Sequence, residues 1–208
     1  YNITAEWSSQ SPNASMPTYW NDLKNSKWET VTVQKISGTN ITILVTTDFI
    51  NKTQKNSLYW GDIATNQGSM EFGFQIIPVG LSVGDTVRQS RLSINYTETK
   101  EFAGQNREVN YAGLIIQGEG ETRYEFKWDK ETGILCASVT LDTFPDSQGY
   151  WTNTLLEKKL IETNIWQAQT SSPQTWEQWA PPLVIATLVL ITFILITRRS
   201  KAKRRRRK

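Results

Sequence analysis

The amino-acid sequence predicts a mainly β protein: an antiparallel sheet or sheets, stacked as a sandwich or curled as a half-barrel, with at most one or two short helices, plus one carboxyl-terminal transmembrane helix. Three observations predict it. Period-two alternation of apolar and polar residues dominates from Trp28 onward. Short Gly-, Asn- and Asp-containing turns separate the alternating runs. Near the carboxyl end, Ala180–Thr197 forms an eighteen-residue run without a charge, and at about 1.5 Å per residue it approaches the ~30 Å hydrocarbon core of a bilayer.

Residues 1–27 are polar and carry Pro12 and Pro17, which predicts an irregular lead-in with one short helix near Trp20–Lys24. A β domain is expected over 28–166. Val31 and Val33 share a face, Gly38-Thr39-Asn40 makes a turn, and Ile41, Ile43, Val45 and Phe49 share the next face. Strands are expected at Leu58–Ile63, Phe72–Ile77, Leu92–Thr97 and Glu108–Gln117. Tyr124, Phe126 and Trp128 alternate with Arg123, Glu125 and Lys127, the pattern of a half-buried strand. Asp129–Gly133 then forms a hairpin turn, with Gly133 suited to a left-handed backbone. Leu135, Ala137, Val139 and Leu141 are expected to continue the apolar face of Tyr124, Phe126 and Trp128. Trp151–Trp166 reads as strand or helix. Residues 167–179 form a polar linker, 180–197 the span, and 198–208 a polybasic cytoplasmic tail.

Charge orients the span. Arg198–Lys208 holds nine of the 23 basic residues and no acid, which leaves fourteen basic against twenty acidic residues before it, a net of −6. The tail is a positive-inside signal that places the carboxyl terminus in the cytoplasm and the remainder outside the cell. The start at Tyr1 leads to the expectation that a secretory signal has been removed. Trp176 and Trp179 before the span, and Arg198 and Arg199 after it, suit the two membrane interfaces. The partners expected from this segment are the lipid bilayer through 180–197 and anionic headgroups through 198–208. The acidic outer part argues against nucleic acid.

Five Asn-X-Ser/Thr sequons, at Asn2, Asn13, Asn40, Asn51 and Asn95, are candidate glycosylation sites consistent with export. Gly38–Thr42, Ile76–Val87, Arg107–Gly113 and Tyr124–Leu135 together resemble a recurring domain of uncharacterised archaeal surface proteins over about residues 28–166. That resemblance implies a secreted β domain on a carboxyl-terminal anchor and brings no catalytic residues. More remotely, the Tyr-x-x-x-Trp-Asp hairpin at Tyr124–Gly133 is similar to the half-barrels of periplasmic lipoprotein carriers.

Enzymatic chemistry finds little support in the residues. Histidine is absent, and Cys136 stands alone on a strand without a base to activate it. Glu119 and Glu121 are close enough in sequence for acid–base work on a glycan, yet they read more simply as a solvated Gly-rich turn. Asp129 and Glu131 lack the ligand density of a calcium loop, and turn chemistry accounts for both. No cofactor or metal is expected. Seven Trp precede residue 167, and a sheet core would absorb them. The expected function is non-enzymatic, a structural or contact role at the cell surface with a surface-protein partner or self-association. A membrane-tethered lipid carrier is the alternative, followed by an extracellular hydrolase.

Overall fold

Alternation sets the strands, and pairing sets what covers them. The computed structural model describes residues 1–65, 67–69, 74–87, 92–146 and 148–166. Among these residues the strands are β1 (Asn2–Ser9), β2 (Ser26–Ser37), β3 (Asn40–Phe49), β4 (Gln54–Asp62), β5 (Tyr96–Phe102), β6 (Gln105–Gln117), β7 (Glu121–Asp129), β8 (Leu135–Pro145) and β9 (Trp151–Lys159), with one helix, α1 (Thr18–Asn25). All nine strands form a single open antiparallel sheet in the order β4-β3-β2-β1-β9-β8-β7-β6-β5. Two meanders, β2–β4 and β5–β9, are therefore joined through β1. Tyr1–Glu162 make up one compact unit.

The lead-in expectation for residues 1–27 needs correcting at its start. Asn2–Ser9 is a central strand that pairs with β9 along its whole length, from Asn2↔Lys159 to Ser9↔Thr152. Ile3, Ala5 and Trp7 carry the alternation, but a partner about 150 residues away in sequence cannot be read from a local window. The helix expected near Trp20 is present and buries Trp20.

One face of the sheet is covered by the protein itself. Ile41, Ile43 and Val45 pack with Val31, Tyr59, Ile63 and Ile76. The described parts of the long β4–β5 connection supply the rest of the cover. The Phe74 ring stacks on Phe126 at 4.5 Å, and Phe126 stacks on Trp128 at 5.3 Å. The Trp128 indole donates to the Phe74 carbonyl at 2.8 Å, and the Asn110 amide donates to the Leu81 carbonyl at 2.9 Å. Ile77, Val87, Leu92 and Ile94 are buried. A fully buried large apolar side chain contributes about 1.5–3 kcal/mol, so this connection is part of the core.

Several expected strands differ from those observed. Phe74 and Gln75 lie in a turn, and Ile76 makes an isolated bridge to Ile134; Phe72 and Gly73 lie outside the described residues. Leu92 and Ile94 are buried ahead of β5, whereas Tyr96 is 43% exposed and stacks on Tyr111. Trp151–Lys159 is strand, and 160–166 is neither strand nor helix. The continuous apolar face expected across the β7–β8 hairpin is broken by a β-bulge. Trp128 pairs with Leu135 but Lys127 pairs with Ala137, so Ala137, Val139 and Leu141 sit on the open face with Lys127, Glu125 and Arg123. One extra residue moves every later side chain to the other side. Cys136 is buried in that bulge, a strand residue as expected.

The turn itself forms as expected. Gly133 has φ +72, and a Cβ there would strike the Ile77 carbonyl oxygen. Among the described residues, no helix is long and apolar enough to cross a membrane. The expected span, linker and tail, with Trp176, Trp179, Arg198 and Arg199, lie outside the described residues.

Candidate functional site

Antiparallel registers divide the ladder into two ends. Because β2 and β9 are both antiparallel to β1 and run the same way, the β6–β7 and β8–β9 turns lie at one end, here the tip, the β2–β3 turn lies at the other, and the β3–β4 and β7–β8 turns lie between them near the Asn2–Trp28 row. β9 ends at Lys159, level with Asn2 and Trp28, midway along the ladder.

At the tip, the β6–β7 and β8–β9 hairpins carry an exposed apolar group. Ile115 and Ile116 on β6 are 54% and 51% exposed, and Phe144 on β8 is 45% exposed. Tyr150, in the β8–β9 turn, and Trp151, which opens β9, are each 39% exposed. Gly118 N–H donates to the Gly120 carbonyl at 2.8 Å within the β6–β7 turn, and the two hairpins approach so closely that Gly120 leaves no room for a Cβ against the Thr143 carbonyl and Phe144. The Asp146 carboxylate accepts from the Gln148 and Tyr150 amides, both at 2.9 Å, which shapes the β8–β9 turn. Glu119 and Glu121 flank the group and are exposed. The registers put Ile115 and Trp151 on the open face and Ile116 and Phe144 on the other, so this end shows exposed apolar side chains on both faces beside a polar, acidic margin, a composition that suits protein contact.

The carboxylates singled out in the sequence do not assemble into a reactive pair. Asp129 is 1% exposed and is held by Arg107, whose Nε donates at 2.7 Å. The Thr132 hydroxyl and amide donate to the same carboxylate at 2.6 and 2.8 Å. Burial alone would raise this carboxyl, but the hydrogen bonds from Arg107 and Thr132 outweigh it and hold the group below the usual carboxylate range. Glu131 reaches the same guanidinium at 2.8 Å. These contacts lock the β7–β8 turn. Among the described residues no group of His, Cys, Asp and Glu is arranged to hold a metal. Burial pushes the Cys136 thiol up to about 12, so it is protonated and unreactive at neutral pH.

A second feature lies where the two meanders meet. β1 pairs with β2 only at Asn2↔Trp28, and the Tyr1 and Glu29 backbones exchange two bonds beside it, at 2.8 and 3.0 Å. Beyond that point the two strands part. Glu29 and Lys158 span the junction from β2 to β9 under β1, with Lys158 Nζ 3.0 and 2.9 Å from the two carboxylate oxygens. Their side chains are 8% and 19% exposed. Alternation could not reveal this pair, because charged residues at inward positions of β2 and β9 read locally as outward ones.

All five sequon asparagines are exposed. Asn95 precedes β5, and its side-chain oxygen accepts from Gly113 N–H at 2.8 Å; it lies outside the apolar set of Leu92 and Ile94, as expected. The seven Trp divide differently from the core expectation. Trp20, Trp128 and Trp166 are buried and Trp7 is half-buried, but Trp28, Trp60 and Trp151 are 41%, 52% and 39% exposed. No family model matches the chain, and neither does any curated protein or solved structure.

Proposed function

We propose that this chain is a membrane-anchored, glycan-bearing cell-surface protein whose outer β domain has a structural or protein-contact role in the envelope and no enzymatic one. The observation that carries this reading is the pairing of a sheet face covered by the protein's own β4–β5 connection with aromatic and aliphatic side chains left exposed at the tip. A core of this kind needs no ligand to exclude water. The apolar surface left over is where a partner would gain. The uncharged run at 180–197 and the basic tail behind it support the anchor, with the domain outside and the tail inside. Exposure of all five sequon asparagines is compatible with glycosylation.

The carrier reading draws on the parting of β1 and β2, which opens the ladder where a half-barrel would admit a lipid. Native mass spectrometry of protein purified gently from its own membrane separates the two. Bare protein, with unchanged thermal stability on adding lipid, is the expected result. Reproducible co-purification of one lipid per chain would defeat the filled-core reading and favour the carrier.

A further inference from the structure

A sheet that does not close leaves strand edges, and each edge is a row of hydrogen-bonding groups that another strand can use. Among the described residues, four strands lack a strand partner along some or all of one edge: β1 and β2, which share only the Asn2↔Trp28 pair, and the two outermost strands, β4 and β5. Three of these edges are blunted. α1 packs against β1. β2 carries a bulge between Val33 and Lys35, which takes its edge out of a regular ladder. β5 carries Glu98, Lys100 and Glu101, and charge on an edge opposes the approach of another strand. β4 has none of these protections. Its register with β3 runs unbroken from Asp48↔Gln54 to Asn40↔Asp62, and Lys55 is its only charge before Asp62.

Two observations fix which backbone groups of β4 point outward. Phe49 N–H donates to the Thr53 carbonyl at 3.0 Å, so odd-numbered residues along β4 bond toward β3. On the opposite edge, Ser69 N–H donates to the Trp60 carbonyl at 2.9 Å and Asp62 N–H to the Gln67 carbonyl at 2.8 Å. Alternate residues of a strand share an edge, so Gln54, Asn56, Leu58, Trp60 and Asp62 all face out. The chain's own segment 67–69 caps the last two. Gln54, Asn56 and Leu58 keep their outward N–H and C=O groups without a backbone partner among the described residues. All three residues are exposed, Leu58 at 66%.

We propose that this edge pairs with the same edge of a second copy of the chain, antiparallel about Asn56, joining two nine-stranded sheets into one. Length favours a second copy as the occupant. Segment 67–69 ends the free edge at Leu58 and the β3–β4 turn ends it at Gln54, so a longer strand would meet segment 67–69. An identical edge offers the same three residues, each exchanges both of its bonds, and no group is left over on either copy. Charge favours it too. This register sets Asn56 against Asn56 of the second copy, Gln54 against Leu58, and Lys55 against Ser57, so no like charges are opposed. The contact is isologous and closes at two copies. A strand pair this short falls well below the ~1,200 Å² of a stable interface, so the dimer is weak and grows with concentration. It uses a surface separate from the tip and does not depend on the anchor.

The test uses the full chain in detergent micelles, followed by sedimentation velocity across a concentration series. The parent should move from monomer toward dimer as concentration rises. Asn56→Lys and Asn56→Asp each oppose like charges at the centre of the pairing and should weaken the dimer severalfold. An equal mixture of the two should restore it, because the mixed pair sets an ammonium against a carboxylate. Position 56 is exposed, so both variants should keep the parent's melting temperature. Oxidation of Asn56→Cys should trap a disulfide-linked dimer, since residues directly opposed in such a rung lie about 5.5 Å apart. Gln148→Cys, at the tip, should trap none, and the native Cys136 is buried. A parent that stays monomeric at every concentration would overturn the pairing. So would a dimer that Asn56→Lys leaves unchanged, which would move the contact to another part of the chain.

Discussion

Replacing Glu29 by Ala removes the only acid, among the described residues, that is paired with Lys158 at the junction of the two meanders. Breaking a buried pair from one side costs about 3–5 kcal/mol, because the remaining charge keeps its desolvation penalty without its partner. Lys158 retains 19% exposure, which lets the ammonium regain some water, so the lower end applies, about 3 kcal/mol. In a domain of this size that lowers Tm by roughly 6–12 °C. The double change Glu29→Leu with Lys158→Met removes both charges and keeps the volume filled. It should recover most of the loss, with a coupling energy of at least about 2 kcal/mol. Urea unfolding of the outer domain, followed by intrinsic Trp fluorescence, measures all corners of this cycle. A loss below about 1 kcal/mol for the single variant, with no coupling in the double, is the size of a solvated pair. That result would refute the view that this contact closes the junction.

Four further outcomes follow from the same contacts. The Asp129 carboxyl is held below its unfolded value, so its contribution is present above the unfolded pKa of about 4 and lost as pH falls through the folded one; Asp129→Asn should be less stable at pH 7 and flatten the fall in stability below pH ~4, and an unchanged acid limb would contradict this. Gly133→Ala should cost at least about 2 kcal/mol, from a left-handed backbone and a clash with the Ile77 carbonyl, and a near-neutral melting temperature would show that the turn can shift. Maleimide should fail to modify Cys136 in the native protein and react fully in urea; rapid native labelling would mean that the bulge opens. Phe144→Ser with Trp151→Ser should leave the melting temperature within about 1 kcal/mol equivalent of the parent yet reduce surface cross-linking on intact cells, and cross-linking that persists would move the contact surface elsewhere.

The hairpins were legible because their causes are local. Gly38-Thr39-Asn40 and Asp129–Gly133 are turn chemistry, and Ile41/Ile43/Val45 and Tyr124/Phe126/Trp128 are alternation within a few residues. The candidate contact surface was not legible. Phe144 and Trp151 look like core residues until the register shows that they end strands at the tip. Trp28 and Trp60 likewise read as sheet core but stand exposed.

By itself, the sequence determined the β class, most hairpins, the short helix, and the sharp division between an acidic chain and its basic tail. Each of these depends on neighbours in sequence or on composition. Only the tertiary structure decided that Asn2–Ser9 is central, because its partner β9 is supplied by the far end of the domain. It also decided which side of β8 faces the core, since a single bulge residue opposite Trp128 inverts the pattern beyond it. The buried Glu29–Lys158 pair arises in the same way, from strands distant in sequence brought side by side, where pairing energy outweighs what any local window can express.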